Sequence, residues 1–220
     1  MTHFIQKAPL LLLVALAFSL QSCGQGKQTH SSTQNKTQTM NNATLDTITL
    51  AGGCYWCIEA IYQRLDGVVS VESGFSGGTM KNPSYHDVCT GETGHAEVVQ
   101  ITYDKTKTNL DEIFKVFFTV HDPTTLNRQG ADEGTQYRSA IFYRNEEQKK
   151  AAQDIIKALT DAKVYSDPIV TEVTPFSVFY KAEDYHQDYY NQHGSQPYCQ
   201  IVIRPKVEKF EKIFKDRMKR

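Results

Sequence analysis

Apolar positions along the chain alternate between strand-like runs and helical spacing. Leu45 to Ala51 and Val68 to Phe75 read as strands, and between them Ile58, Ile61 and Leu65 recur at helical spacing with Asp66-Gly67 as the exit. That is one β-α-β unit. Glu97 to Tyr103 is a further strand, and Asn109 is placed to cap a helix carrying Leu110, Ile113, Phe114 and Phe117 on one face. Ser139 to Tyr143 follows as a strand, Asn145 caps a helix through Ile155, Ile156 and Leu159, and Ile169 to Val173 closes the set. Strands separated by helices of this length predict an α+β fold: a two-layer α/β sandwich, ferredoxin-like, with helices packed on a mixed or antiparallel sheet.

Three stretches stand outside this pattern. Ser73 to His95 is rich in Gly, Ser and Thr and carries Tyr85, His86, Cys89 and His95. His121 to Arg138 is similarly polar, and Ala182 to Gly194 reads as a short helix bearing Tyr185, His186, Tyr189 and Tyr190. Long polar loops on a rigid scaffold are where functional groups are presented. The tyrosine-rich segment equally suits an amphipathic helix with its hydroxyls outward.

Residues 1–22 have the pattern of a lipoprotein signal peptide. His3 and Lys7 precede an apolar run from Leu10 to Leu20, shorter than the roughly 20 residues of a comfortable membrane span. The run ends in Leu20-Gln21-Ser22-Cys23, which resembles the lipobox of bacterial lipoproteins, with Cys23 the lipidation site. Residues 23–44 read as a disordered tether: Gly24 to Asn42 has no aromatic residue and cannot bury enough surface to offset its ordering entropy. A chain of that length reaches roughly 25 Å. One folded domain, residues 45–220, remains. The expected location is the cell envelope, on the periplasmic or extracellular side of a membrane holding the anchor.

The 24 basic and 25 acidic side chains nearly cancel over 220 residues, so charge gives no reason to invoke nucleic acid. Composition narrows the chemistry only through its five cysteines. With Cys23 lipidated as a thioether, the working thiols are Cys54, Cys57, Cys89 and Cys199.

Gly52-Gly53-Cys54-Tyr55-Trp56-Cys57 places Cys54 where a strand gives way to a helix. Unpaired backbone N–H groups and the helix dipole favour a thiolate there. Two aromatic rings follow, an apolar wall for a small alkyl group. Cys89 is most simply a buried, inert thiol.

Together with that segment, Gly74-Phe75-Ser76-Gly77-Gly78, Asn82-Pro83-Ser84-Tyr85, Gly94-His95-Ala96-Glu97-Val98 and Gly134-Thr135-Gln136-Tyr137-Arg138-Ser139 resemble, in order and spacing, the A-type peptide methionine sulfoxide reductases. The resemblance runs from about Ile48 to Arg204. It implies reduction of methionine-S-sulfoxide through a sulfenic acid and an intramolecular disulfide, with no metal or organic cofactor and with electrons from a thioredoxin-like protein. Residue by residue it implies Cys54 as nucleophile, Glu97 as acid, Tyr85 and Tyr137 as donors to the sulfoxide oxygen, Asp132 in the same site, and Tyr55 and Trp56 around the S-methyl group. A carboxyl in an apolar pocket is held protonated and able to donate near neutral pH.

The resolving thiol is left open between two residues. The family's C-terminal recycling cysteines favour Cys199, in a tail able to swing towards Cys54. Cys57, one helical turn from Cys54, is the alternative. The chain departs from the common family pattern at Tyr55 for phenylalanine, Phe75 for tyrosine and Glu133 for an aliphatic residue. A monomer is expected.

The same residues admit other chemistries. A thioredoxin-like dithiol oxidoreductase would also use Cys54 and Cys57, but its tryptophan usually precedes the first cysteine. Zinc wants a second pair, and covalent haem wants histidine where Ile58 stands. A tethered binding lipoprotein with idle cysteines is a fourth reading. For an exported reductase, cytosolic thioredoxin is out of reach, so a thioredoxin-like partner or transmembrane thiol relay is implied.

Overall fold

Ile48 faces Ile101 and Leu50 faces Val99 across an antiparallel pair that forms the middle of the domain. The computed structural model describes residues 44–220. The signal-peptide, lipidation and tether assignments, with Cys23, lie outside the described residues, apart from Thr44 at the tether's end.

In chain order the elements are β1 (Leu45–Gly52), α1 (Tyr55–Tyr62), β2 (Val68–Ser76), α2 (Tyr85–Cys89), β3 (Ala96–Asp104), α3 (Leu110–Val120), β4 (Arg128–Gln129) and β5 (Asp132–Glu133), continuing through β6 (Ser139–Tyr143), α4 (Glu146–Asp161), β7 (Glu172–Pro175), β8 (Tyr180–Lys181), α5 (Tyr189–His193) and α6 (Arg204–Ile213). One six-stranded sheet runs β7-β6-β1-β3-β2-β8, and β4-β5 is a separate hairpin. Pairing is antiparallel except between β6 and β7. The sheet is therefore mixed, as expected. Its four long strands, β6-β1-β3-β2, stand in ferredoxin-like order: β3 separates β1 from β2, so the β-α-β unit is a split one.

Side-chain alternation sets the two layers. Ile48, Leu50, Val99, Ile101 and Ile141 pack with Ile58, Ile61, Ile113, Phe114, Phe117 and Phe210 in the main core. Ala51, Ala96, Val98, Ala140 and Phe142 point the other way, against Phe176 and Phe179. The α3 stripe works because the Asn109 side chain accepts from the Glu112 N–H at 2.9 Å, starting the helix in register. Asn145 caps α4 in the same way at 2.8 Å. Phe114 and Phe117 are fully buried, each worth about 1.5–3 kcal/mol of transfer from water.

Four local expectations are corrected. The first helix stops at Tyr62 because the C-terminal chain takes the next backbone groups: Lys219 N–H donates to Arg64 O, Asp66 N–H to Arg217 O, and Leu65 bridges Met218. The last predicted strand is shifted to Glu172–Pro175, because the Val170 N–H is engaged by Pro123 O. Residues 182–194 are not one helix. A 3₁₀ turn, Asp184–His186, is separated from α5 by Asp188 in the left-handed region at φ 54°. Cys89 is exposed rather than buried, since at the end of α2 it is Val88 that turns inward.

Among the described residues, no helix is long and apolar enough to cross a membrane.

Candidate active site

Gly53 makes the site possible. The chain leaves β1 and enters α1 through φ 86°, and a Cβ there would lie 2.5 Å from Gln129 Cγ, so only glycine fits. Cys54 is thereby set at the N-cap of α1, as expected, but its side chain makes no capping bond. The cap comes from a distant strand. Glu97, at the start of β3, accepts the Tyr55 N–H at 3.1 Å, an amide the helix itself leaves unpaired.

Cys54 and Glu97 are 6% and 2% exposed and share a hydrogen bond, so the two side chains expected to react are in direct contact. Burial pushes the Glu97 carboxyl up to about 8, against the pull of the Tyr55 N–H and with further help from the charge of Asp132. It is mostly protonated at neutral pH. The expectation of a resting Cys54 thiolate is corrected. Burial first and then the hydrogen bond to Cys57 push the Cys54 thiol well up, outweighing the Tyr198 hydroxyl, and an ionised Glu97 would push it further. Cys57 moves the other way, lowered by the Cys54 hydrogen bond despite its burial and helped by Lys206. The two thiols share a hydrogen bond and titrate as a coupled pair.

The predicted oxygen donors lie around this pair. Tyr137 closes the 3₁₀ turn Thr135–Tyr137, and its neighbours in charge are Glu97, Cys54 and Asp132. Tyr85 begins α2, where its N–H donates to Glu183 Oε1 at 3.0 Å and its hydroxyl meets Cys89. Burial first, and the Glu97 charge among the other causes, push both phenols up, so they stay neutral O–H donors. Asp132, on the β4-β5 hairpin, accepts the Tyr198 hydroxyl at 2.7 Å. Tyr198 in turn hydrogen-bonds Cys54, tying the hairpin to that thiol. Cys199 is 0% exposed in a π-helical turn, Cys199–Ile203, that runs directly into α6. Its neighbour in charge is Cys57 rather than Cys54.

Trp56 forms the apolar wall. Tyr189 stacks on it with centroids 3.7 Å apart and planes at 7°, while Tyr198 meets it edge-on at 5.9 Å. His186, buried and kept neutral by its burial, lies 5.5 Å from both Tyr55 and Trp56 and 4.3 Å from Tyr85. The Tyr55 ring is fully buried against Phe75, and its hydroxyl has no hydrogen-bond partner among the described residues.

Sequence reasoning missed Tyr198 altogether, although it was in view beside Cys199. It left His186 and Tyr189 without a role and did not notice Glu59. The signal available for Glu59 was a carboxylate on the apolar face of α1, next to Ile58 and Ala60.

Comparison with known proteins bears on this arrangement. A family model described as peptide methionine sulfoxide reductase matches residues 46–218. The peptide methionine sulfoxide reductase MsrA of Saccharolobus solfataricus is 56% identical over 175 residues, 80% of this chain and 98% of that protein. The MsrA of Polynucleobacter asymbioticus is 49% identical over 181 residues, 82% and 95% of the two. Among solved structures, Mxr1 from Saccharomyces cerevisiae in reduced form aligns with a TM-score of 0.66 at 35% identity, over 72% of this chain and 91% of that one. Methionine sulfoxide reductase A of Corynebacterium diphtheriae aligns with a TM-score of 0.65 at 37% identity, over 68% and 76%.

Proposed function

The chain belongs to the peptide methionine sulfoxide reductase family, and from that premise we propose that Cys54 takes the sulfoxide oxygen, Glu97 supplies the proton and Cys57 resolves the product. Thiol-dependent reduction of methionine sulfoxide is the activity of the chain, which sets aside the thioredoxin-like dithiol alternative. The observation carrying the residue assignment is that Cys54 hydrogen-bonds both Glu97 and Cys57 in one buried hollow.

In the first step the Cys54 thiol and the sulfoxide become a sulfenic acid and a thioether, the oxygen passing from one sulfur to the other. Sulfoxide sulfur is a weak electrophile until its oxygen is protonated. A neutral Glu97 meets that need, with Tyr85 and Tyr137 as uncharged donors to the same oxygen. While Glu97 holds its proton it sets no charge against a Cys54 thiolate, and once that proton has passed to the sulfoxide oxygen the proton shed by Cys54 restores the carboxyl.

In the second step the Cys57 sulfur displaces hydroxide from the Cys54 sulfenic acid, which leaves as water, and a disulfide forms. Cys57 is favoured over Cys199 because it hydrogen-bonds Cys54 from one turn along the same helix, a bond that lowers its own thiol despite burial. Cys199 is enclosed and faces Cys57, a position suited to passing the disulfide on. A thioredoxin-like dithiol returns the two electrons.

The Trp56–Tyr189 stack offers an apolar surface for the methyl group, distinct in chemistry from the O–H donors for the oxygen, and this makes the proposed site chiral. With the methyl group on the indole and the oxygen on Glu97, one epimer directs its sulfur at Cys54, and the S epimer is the proposed substrate in oxidised proteins or free. Supplied with each epimer separately under a thiol reductant, the enzyme is expected to exhaust S and leave R; consumption of both at similar rates contradicts the assignment.

The enzyme is further proposed to work from the cell envelope on a lipid anchor at Cys23, with a thioredoxin-like protein or transmembrane thiol relay as donor. The apolar run Leu10 to Leu20 followed by Leu20-Gln21-Ser22-Cys23 supports this. Replacing Cys23→Ser is expected to move the protein from the membrane fraction to the soluble or unprocessed pool without loss of specific activity. An unchanged membrane fraction argues against the anchor.

A further inference from the structure

Glu59 is the second carboxylate buried in this domain without a cationic partner, at 1% exposure, and the proposed reaction makes no use of it. Burying a carboxylate is costly unless its oxygens are satisfied. Here both are, chiefly by main chain: the Asp188 N–H donates to Oε1 at 2.9 Å and the Tyr189 N–H to Oε2 at 3.4 Å, with the Ser73 side chain beside the same carboxylate. The donors are remote, 129 and 130 residues away.

What they hold is a chain reversal. Asp188 has φ 54°, a conformation that costs a non-glycine residue on the order of 1 kcal/mol or more, and it leads directly into α5. The first residue of α5 is Tyr189, whose ring lies flat on Trp56. Trp56 and Glu59 are three positions apart on α1 and so are neighbours on its surface. One helix thus carries the indole and also the carboxylate that grips the segment covering that indole.

We infer that Glu59 is a positioning residue for the substrate hollow: its carboxylate pins the backbone at Asp188 and Tyr189 and thereby fixes the Tyr189 ring against Trp56. Exposed ties run in parallel, from Asn191 to Gln63 at 3.0 Å and from Arg64 to Asn191 at 2.8 Å. Exposed polar pairs contribute little net. The Gln187 side chain holds the chain just before the reversal, accepting from the Ser73 N–H and donating to Ser73 O, each at 2.9 Å; the Glu59 bonds are the ones that reach Asp188 and Tyr189 themselves and so set the stack.

The inference rests on the proposed role of Trp56 as substrate wall, and one property of the chain separates the two ideas. Trp56 is its single tryptophan, so intrinsic emission reports this stack without any turnover. Glu59→Gln keeps an acceptor for one N–H and turns a donor towards the other, and Glu59→Ala removes both. Both variants are expected to shift and brighten Trp56 emission towards that of Tyr189→Leu, in the order Ala beyond Gln, whereas Asn191→Ala stays near wild type.

In the coupled assay Glu59→Gln is expected to raise KM about tenfold with kcat within about threefold of wild type, the pattern of lost uniform binding. Glu59→Gln combined with Tyr189→Leu is expected to be no worse than Tyr189→Leu alone. Emission unchanged in folded Glu59→Gln, or moved as far by Asn191→Ala, overturns the positioning role. Emission that moves while KM stays fixed leaves the positioning intact and removes the wall assignment. Should Glu59→Ala fail to fold, the Gln variant carries the test.

Discussion

Glu97→Gln is expected to slow single-turnover reduction of methionine sulfoxide by about 10²–10⁴-fold, the usual contribution of a positioned general acid. Glutamine keeps the Tyr55 N–H capped through its carbonyl oxygen, so the loss is chemical rather than structural. The pH profile should identify the proton. Glu97 loses its proton as pH passes about 8, so the wild-type rate falls above that point, and the variant should lack this descending limb.

Stability should move with the same group. Its folded pKa lies above the ordinary carboxylate value, so the fold binds the proton more tightly than the unfolded chain does. That contribution is fully present below about 4.5 and disappears as pH rises through about 8. Glu59, raised by burial to about 7, adds to it with the same sign. Above pH 8, Glu97→Gln is therefore expected to be more stable than wild type by on the order of a few kcal/mol, and below about pH 4 the two should agree. Thermal unfolding across that range reads the difference. Parallel curves for the two proteins would mean that Glu97 titrates normally and is no acid reserve.

Cys57→Ser should separate the two halves of the cycle. Oxygen transfer needs only Cys54 and Glu97, so a burst of about one methionine per enzyme is expected to survive. Steady turnover with a thioredoxin-like dithiol should drop about 100-fold or more, since an adjacent thiol replaces a bimolecular encounter by an intramolecular one. Cys199→Ser should leave disulfide formation fast and slow only the return of electrons from the protein donor. The reverse ranking, with Cys199→Ser halting disulfide formation, would hand the resolving role to Cys199.

How far the sequence could be read depends on how local the determining interactions are. Strands β1, β2, β3 and β6 and helices α3 and α4 were legible because their apolar spacing and their Asn109 and Asn145 caps act within one or two turns. The end of α1 was not, because the residues that stop it, Arg217 and Lys219, lie at the far end of the chain. The break at Asp188 was hidden for the same reason: nothing beside it signals a left-handed residue, and its support comes from Glu59.

The site divides along the same line. The order of five motifs brought out the family and, through it, Cys54, Tyr85, Glu97, Asp132 and Tyr137, and the contacts run among them: Cys54 bonds Glu97, and both neighbour Tyr137. The ionisation of Cys54 was misjudged because the helix N-terminus is a local and modest effect, while burial and the facing Glu97 are tertiary and larger. Tyr198 was overlooked because its partner Asp132 is 66 residues away.

The most direct test is to trap the oxidised sulfur. Reduced Cys57→Ser enzyme, given one equivalent of methionine-S-sulfoxide in the presence of dimedone, should form a sulfenic-acid adduct on the peptide carrying Cys54 alone, in step with methionine release. An adduct on any other cysteine, or methionine release undiminished in Cys54→Ser, would contradict the account.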